Sequence, residues 1–416
     1  MFRVLRAALG VSLCERGLFC NIRCFDATFF ENRLMATIRN RSIEIVPVKT
    51  RRQWQSFHGL PQRLRGADSR WIQPLRLQVR QAWAPRQPYF RHASAAAWIA
   101  IEADRVVGRI SAQVDSLDQQ LGRAGRGQFG QLEAVDDAEV FQRLTDIAGG
   151  WLKAHGMTDM LGPFDLSINQ QCGVLVDGFE HAPMMMMNHN PEYYPSRLEQ
   201  AGFEPAAEML AYRGSPDCRL PPRVARLLER MQGRLEIRPV PRGELTRRAE
   251  TMRELFNAAW AENWGFVPIT EEEFRHMVQE MKLLIRPGYV QLAFYEGRPA
   301  GFIVALPDLN ELIADLNGRL LPTGAVRLLW RIARRRSRKA RIPLMGIDPA
   351  FQQSLPGAGI AYALIESARR VLVADGIEET EQSWILRQNK GMRSMIEAIG
   401  MRAAQTFRIY ERPLSE

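Results

Sequence analysis

Residues 344–364 read LMGIDPAFQQSLPGAGIAYAL, and this stretch decides the fold of the second half of the chain. Residues 344–349 are mostly apolar and predict a buried strand. A glycine-rich turn follows at 352–359, and the next helix has one apolar face formed by Ile360, Leu364, Ala368 and Val371. Such a turn can cradle a phosphate, because glycines let the backbone approach and free N–H groups at the helix start meet the anion. Glycine-rich turns before helices are common, so this stretch alone is weak evidence.

The residues after this helix strengthen the prediction of a phosphate-binding turn. A strand at 381–386, a short helix begun by Asn389 and a strand at 406–410 complete the order. This order resembles the GNAT (Gcn5-related N-acetyltransferase) superfamily, whose Gln/Arg-x-x-Gly-x-Gly/Ala loop binds the pyrophosphate of CoA. The resemblance implies an acyl-CoA-dependent transferase with CoA contacts at Gln353, Gly357, Ala358, Gly359, Ile360, Ala361 and Asn389. The loop departs from the motif at Pro356, where Gln or Arg is expected, since Gln352 and Gln353 lie further back.

The chain contains an internal repeat. IEIVPV at 43–48 recurs as LEIRPV at 235–240, and predicted hairpins at 97–112 and 292–306 also correspond. We predict an α/β fold (α+β, with mixed sheets) of two tandem GNAT-like domains at 36–213 and 232–416, joined by a linker at 214–231. Residues 1–35 are expected to be a disordered leader or a mis-assigned start.

The first copy lacks the phosphate-binding turn. Between a predicted strand at 129–134 and a helix at 138–153 stand Asp136 and Asp137, followed by Glu139. Acidic residues at a helix N-terminus satisfy its dipole and repel a pyrophosphate. We therefore expect a degenerate domain that binds no CoA and either shapes the substrate cleft or stabilises the pair.

The net charge of +10 is concentrated in one segment. Residues 327–341 contain eight Lys and Arg residues and no acid, which indicates a local anionic partner. An amphipathic insertion near 319–341, with apolar residues on one side, is typical of a membrane-surface binder. Its proposed surface residues are Arg327, Trp330, Arg331, Arg334 and Arg335. The alternatives are a solvated cap over the second domain or an RNA-binding helix; we predict no nucleic-acid partner.

Other candidate residues follow from position. GNAT chemistry needs an acceptor for the amine proton. Asp308 is our candidate base and Asn310 a substrate contact, although Asp308 also suits a turn cap. Asn263 and Trp264 either line the acceptor pocket or pack a helix pair. Residues 184–187 are four methionines, which we interpret as apolar tunnel lining instead of a copper site. His92 is expected to be a structural hydrogen-bonding residue.

The cysteine content and the hydropathy limit which classes of protein the chain can belong to. The chain has five cysteines, three of them in the first 24 residues, which argues against a disulfide framework and for a reducing compartment. We predict no metal site. No apolar run of about 18 residues exists, so no membrane-spanning helix is expected.

Several longer stretches resemble one family. They are GQLEAVDD at 130–137, NPEYY at 190–194, NWGFVP at 263–268, LPDLN at 306–310 and RIY at 408–410. This family is similar to the bacterial ceramide synthases. The resemblance implies N-acylation of a sphingoid-type long-chain base by an enzyme peripheral to the cytoplasmic side of the inner membrane. The alternatives are an N-acetyltransferase of a small molecule or protein, and a non-catalytic CoA-binding scaffold.

Overall fold

The computed structural model describes residues 42–414, apart from residues 67, 69 and 219. The expected leader at 1–35, with Cys14, Cys20 and Cys24, lies outside the described residues. The described residues from 43 to 414 belong to one compact unit. We therefore describe two repeated halves of one body, and the exact domain boundaries stay a prediction.

The first half begins with strand β1, continues through helices and strands, and ends with a long strand. Its elements are β1 (Ile43–Pro47), α1 (Arg51–Arg65), α2 (Arg76–Ala82), a 3₁₀ turn (Pro88–Arg91), β2 (Ala93–Glu102), β3 (Arg105–Asp115), α3 (Ser116–Gln120), β4 (Arg126–Ala134), α4 (Ala138–Ala154), β5 (Asp159–Gly162), β6 (Val174–Asp177), α5 (Tyr194–Gln200) and β7 (Glu204–Gly214).

The second half repeats this order after a connecting helix. Its elements are α6 (Pro222–Arg230), β8 (Leu235–Pro239), α7 (Leu245–Trp260), α8 (Glu271–Met281), β9 (Val290–Tyr295), β10 (Arg298–Pro307), α9 (Leu309–Ile313), a 3₁₀ turn (Ala314–Leu316), α10 (Gly324–Ala333), β11 (Lys339–Ile347), α11 (Leu355–Ala374), β12 (Glu379–Leu386), α12 (Lys390–Ala398) and β13 (Arg402–Pro413). The predicted linker at 214–231 therefore contains a helix.

Thirteen strands of the described residues form one sheet. Its order is β1-β2-β3-β4-β5-β13-β7-β12-β11-β10-β9-β8, and β6 also pairs with β13. The two halves exchange their last strands, because β13 lies beside β5 of the first half and β7 lies beside β12 of the second. The long β7–β13 pairing, from Glu204 to Arg213, joins them at the centre.

The parallel strands of the second half separate part-way along their length. Strands β11 and β12 pair from Lys339 opposite Glu379 to Ile342 opposite Gln382, and both continue beyond that point. A gap therefore opens between them. Strands β4 and β5 open no such gap here, because the Phe164 N–H just after β5 still donates to the Phe129 carbonyl of β4 at 2.8 Å.

Helices cover both faces of the sheet, which explains its continuous apolar strands. In β9, Val290 and Leu292 pack in the core under α7 and α8, whereas Ala293 and Tyr295 pack under α11 on the opposite face. In the first half α4 packs so close to β3 that a Cβ on Gly108 would lie 2.6 Å from Leu144 Cδ1. A side chain at this position would require Leu144 and Val140 to shift.

An insertion distinguishes the first half from the second. Residues 163–193 separate β5 from α5, whereas only residues 387–389 separate β12 from α12. The insertion includes β6 and the four consecutive methionines, Met184 to Met187. Its backbone reaches the second half, where it takes part in the site described next.

Candidate active site

Helix α11 begins at Leu355, inside the stretch 352–359 that was predicted as a turn, so Gly357 and Gly359 lie in the first turns of the helix. Ser354 caps the helix and accepts a hydrogen bond from the Gly357 N–H at 3.1 Å. A Cβ on Gly357 would lie 2.0 Å from the Phe351 carbonyl oxygen, so the tight turn itself requires glycine. Pro356 lies in the first turn and contributes no N–H.

The predicted CoA residues differ in exposure. Gln353 is exposed and adopts a positive φ of 56°, and Ala358 is half-buried. Gly359, Ile360 and Ala361 are buried, and a Cβ on Gly359 would lie 2.0 Å from Met231 Sδ after helix α6. Asn389 caps α12 and accepts from the Met392 N–H at 3.1 Å. Gln353 and Asn389 are therefore the exposed side chains of this set.

The corresponding helix of the first half is capped by an acid. Asp137 accepts hydrogen bonds from the N–H groups of Glu139 at 2.8 Å and Val140 at 3.2 Å. The carboxylate occupies the place that a phosphate would take. This geometry agrees with the expectation that α4 holds no pyrophosphate.

The methionine loop of the insertion contacts the second half. The Asp308 carboxylate accepts from the Met185 N–H at 2.8 Å and caps α9 by accepting from the Asn310 N–H at 3.1 Å. Burial raises the pKa of Asp308 to about 6. Asn310 donates to the Pro183 carbonyl at 2.9 Å. Asp308 thus has the capping role that the sequence also allowed, in a position next to the loop.

A chain of buried charges lies beneath that loop. Arg341 of β11 donates to the Met185 carbonyl at 3.0 Å and to Ser383 Oγ at 2.9 Å. Ser383 donates in turn to Glu381, whose other oxygen lies 2.8 Å from an Arg213 nitrogen. Arg341 was counted in the net charge of residues 327–341, but its side chain is buried in the sheet and adds nothing to a basic surface.

A cavity of about 840 Å³ lies mainly in the first half and reaches α8 and α9 of the second. Its apolar wall includes Trp71, Trp83, Leu166, Met185, Met186, Met187, Met277, Met281, Leu309 and Ile313. Met185, Met186 and Met187 fit the interpretation of the methionines as tunnel lining, whereas Met184 packs in the core around Phe164. Asn310 also lines the cavity. Asn263 and Trp264 are absent from its described lining, and Trp264 packs instead against the core around Phe164.

Polar side chains from separate elements meet at one end of the cavity, which we call the polar floor: Arg65, Arg109, Glu133, Asp165 and Tyr194. Arg65 donates to Glu133 Oε1, and the Tyr194 hydroxyl donates to Glu133 Oε2 at 3.0 Å. Sequence reasoning noted Glu133 and Tyr194 only as parts of motifs and missed Arg65, Arg109 and Asp165. Their sequence separation gave no signal.

The basic segment has a different arrangement from the predicted one. Helix α10 ends at Ala333, and Leu328 and Ile332 pack inward. Four apolar side chains on the outside are between 47% and 80% exposed: Leu321, Val326, Leu329 and Trp330. We call them the apolar patch. Among the described residues, no helix is long and apolar enough to cross a bilayer.

The arginines around this patch are partly engaged. Arg327 and Arg331 pair with Asp315, and Arg331 also donates to the Leu312 carbonyl at 2.7 Å. Arg335 pairs with Asp375. Arg334 and Arg336 lie over the Trp330 ring, at 6.0 and 5.0 Å from its centroid. The exposed face is therefore apolar at its centre and basic at its edge.

Two proteins are similar in sequence to most of this chain. Protein YghO of Escherichia coli (strain K12) is 37% identical over 361 residues, covering 86% of this chain and 93% of that protein. The bacterial ceramide synthase of Caulobacter vibrioides is 38% identical over 379 residues, covering 90% of this chain and 98% of that enzyme. The chain belongs to the bacterial ceramide synthase family. No protein-family model matches the sequence.

Solved structures of GNAT proteins have a fold similar to that of this chain. A tandem GNAT protein from the clavulanic acid biosynthesis pathway has a TM-score of 0.52 at 12% identity, covering 90% of this chain and 99% of that one. A GCN5-related glucosamine N-acetyltransferase region of a fungal enzyme has a TM-score of 0.53 at 11% identity. The match covers 89% of this chain and 38% of that one. The predicted fold class is confirmed, and this ceramide synthase family member is an acyltransferase.

Proposed function

We propose that this chain transfers a fatty acyl group from acyl-CoA to the amine of a sphingoid-type long-chain base. The large cavity carries the proposal, because its apolar wall and polar floor suit an acceptor with a long chain and a polar head. Its volume falls within the range of about 300–1,000 Å³ usual for small-molecule sites. The name of the Caulobacter relative supports this substrate class.

The donor is proposed to bind at the turn before α11. The phosphates of CoA would meet the helix start around Gln353, Gly357 and Ala358, where the dipole favours an anion. Helix α11 and the methionine loop pack on opposite faces of the sheet. The gap between β11 and β12 offers a path through the sheet for the thioester arm of the donor.

In the reaction the amine attacks the thioester carbonyl, a C–N bond forms, the C–S bond breaks and the CoA thiolate leaves. The nitrogen must also lose a proton. Asp308 stays our candidate for taking it, because a carboxylate with a pKa of about 6 can accept a proton near neutral pH. Asn310 would contact the acceptor from the cavity wall, and Asn263 and Trp264 stay predictions for the same role.

The apolar patch supports binding of the protein to a membrane surface. Exposed Leu and Trp side chains with arginines at the edge suit the headgroup region of a membrane that contains anionic lipids. We propose that the protein is peripheral on the cytoplasmic side of the inner membrane, where a water-insoluble base would be available.

A charge placed at the turn tests donor binding. Gln353→Glu preserves size and adds one negative charge, so we expect palmitoyl-CoA to bind about tenfold more weakly. The measurement is calorimetric titration with palmitoyl-CoA and acetyl-CoA, followed by an assay of amide formation with a long-chain base. Gln200→Glu, on exposed α5 of the first half, is the matched control and should bind normally. Binding of acetyl-CoA alone, or no thioester binding at all, would refute the proposed lipid acyltransferase.

A further inference from the structure

The opening of the large cavity can be located from its lining. Most of the lining side chains are buried or half-buried, and the exposed ones mark where the cavity meets solvent. Pro74, Arg76, Gln78 and Arg80, on or just before α2, are exposed lining residues. The other exposed lining residues lie on α1 and at the end of α8. The cavity therefore opens beside α2.

Helix α2 covers part of this opening, and the second half holds its start. The Arg76 N–H donates to the Gly318 carbonyl at 3.0 Å. None of the side chains of α2 is buried. Leu77 is 55% exposed and is not part of the described cavity lining, unlike its neighbours Arg76 and Gln78. Leu77 is therefore an apolar side chain on the outer side of the opening.

The opening and the apolar patch adjoin the same buried cluster. Ile72 and Leu309 of the cavity lining pack in one cluster with Leu320 and Leu328. In the sequence, Leu320 and Leu328 directly precede two residues of the apolar patch. The surface around Leu77 and the apolar patch therefore lie on either side of one cluster, at the mouth of the cavity.

The surface beside the opening is also basic. Residues 70–91 contain five arginines and no acid. Two of the five have acidic partners, whereas Arg76, Arg80 and Arg86 form no ion pair within 4.0 Å among the described residues. Unpaired arginines around exposed apolar side chains suit a membrane that contains anionic lipids.

We infer that α2 and the apolar patch form one membrane contact, and that the long-chain base enters the cavity from the bilayer beside α2 with its head group first. The inference rests on the proposed function for the class of ligand. In a bilayer the head group lies at the surface and the chain lies inside. A lipid that moves from a bilayer into a protein above it therefore leads with its head group.

Entry in this direction delivers the nitrogen to the reacting side. Asn310 and Met185 line the cavity at the second half, and the Met185 N–H donates to Asp308. Arg341, which donates to the Met185 carbonyl at 3.0 Å, lies one residue before β11 and β12 separate at Ile342. A head group at this wall is close to the proposed path of the thioester, and its chain trails towards α2.

Polar atoms without partners line the way in. His58 Nδ1, Gln73 Oε1 and Trp83 Nε1 are shielded from solvent and have no hydrogen-bond partner among the described residues. All three side chains belong to the cavity lining, on α1 and on either side of α2. Unpaired polar atoms are costly, and the hydroxyl groups of a passing head group would satisfy them. A chain that entered first would leave them unpaired.

The experiment measures uptake of the base by the full chain without acyl-CoA. Vesicles of phosphatidylcholine, with or without phosphatidylglycerol, carry a quenching lipid and a long-chain base with a fluorophore at the end of its chain. Transfer of the base to the protein restores fluorescence. Leu77→Glu should take up the base from phosphatidylglycerol vesicles about tenfold more slowly, because a charge that anionic lipids repel replaces an apolar contact. A short-chain 2-amino-1,3-diol dissolved in buffer should bind to it as to the wild type.

Ile147→Glu is the matched control for this variant. Ile147 is exposed on α4. Helix α4 packs on Trp98 and Ala100 of β2, whereas α1 packs on the alternate residues of that strand, so α4 covers the opposite face of the sheet. Ile147→Glu should therefore take up the base at the wild-type rate.

Gln78→Trp tests the opening itself. Gln78 is exposed and lines the cavity, so a larger side chain there narrows the opening without adding charge. We expect uptake of the labelled base to be severalfold slower, with unchanged co-sedimentation of the variant with vesicles. Uptake by Gln78→Trp at the wild-type rate would show that the base enters elsewhere and would overturn the inference.

Wild-type uptake by Leu77→Glu would also overturn it, and so would equal losses of uptake and of binding from buffer, since Leu77 would then act on the cavity. A wild-type uptake rate that does not depend on phosphatidylglycerol would overturn it without any variant. Conversely, uptake that requires Leu77 without acyl transfer from palmitoyl-CoA would support this route while refuting the proposed reaction.

Discussion

His92 links the two halves of the chain through two carboxylates. Its Nδ1 lies 2.9 Å from Asp115 at the end of β3, and its Nε2 lies 3.3 Å from Glu273 in α8. Burial lowers the pKa of His92, but the hydrogen bonds to these carboxylates outweigh burial and raise it to about 9. The imidazole is therefore charged at neutral pH, in the structural role expected from the sequence.

This pairing predicts how stability depends on pH. An unfolded histidine has a pKa near 6.5, so the stabilisation is fully present below about pH 6.5 and is lost as pH rises through 9. We expect His92→Gln to cost about 1–3 kcal/mol at pH 6 and much less at pH 9.5. Urea unfolding at both pH values measures this. His155→Gln, at an exposed position, is the control, and an equal cost at both values for His92→Gln would contradict the pairing.

At the scale of single residues, local patterns were informative and long-range contacts were not. Ser354 and Gly357 occur in a turn whose chemistry is visible in eight consecutive residues. Asp165 and Arg109 influence each other electrostatically only because β3 and the loop after β5 lie near one another in the folded chain. Nothing in the sequence near either residue indicates the other, so the polar floor could not be predicted.

Helix α10 shows the same limit at the scale of an element. The sequence showed a basic amphipathic helix. Which side of the helix faces the core depends on the neighbouring elements, which the local pattern does not contain. Leu328 packs against the core around Ile313 and Leu316, and Arg331 turns to Asp315. The outer side of α10 therefore presents Leu329 and Trp330, of which Trp330 was predicted at the surface, whereas Leu328 and Ile332 of the same apolar side pack inward.

The exposed side of α10 predicts binding to vesicles. Replacing both Leu329 and Trp330 with Glu should reduce binding at least about tenfold, because each apolar side chain contributes about 1.5–3 kcal/mol when buried. Co-sedimentation with vesicles, with and without anionic lipid, measures this. Leu283→Glu is the control, since Leu283 is also exposed but lies outside the apolar patch. Undiminished binding by the double variant would refute the patch as the membrane contact.

At the scale of the whole molecule, the repeat was predicted and the strand exchange was not. Alternating apolar and polar residues, together with turn residues, predicted the hairpins, the strand before the glycine-rich turn and the last strand. The sequences of β7 and β13 are compatible with pairing inside their own half or with the other half. The choice depends on which edge of the sheet each strand reaches.

The exchange predicts that the halves unfold together. Phe407 of β13 is fully buried beside β7, and Phe407→Ala should cost about 3–5 kcal/mol. Differential scanning calorimetry should show one transition at a lower temperature. Leu283→Ala, which removes an exposed side chain, should leave the temperature nearly unchanged. Two separate transitions, only one of them shifted, would show that the halves are independent.

The position of β13 in the sequence also has a consequence for synthesis of the protein. Strand β5 has its neighbour in Arg402–Pro413, which leaves the ribosome after every other strand of the sheet. Until then β5 and β7 both present open edges, where the nascent chain is most prone to pair with other molecules. We therefore expect ribosome-stalled chains that end before residue 402 to depend on chaperones, and released full-length chains to become independent of them.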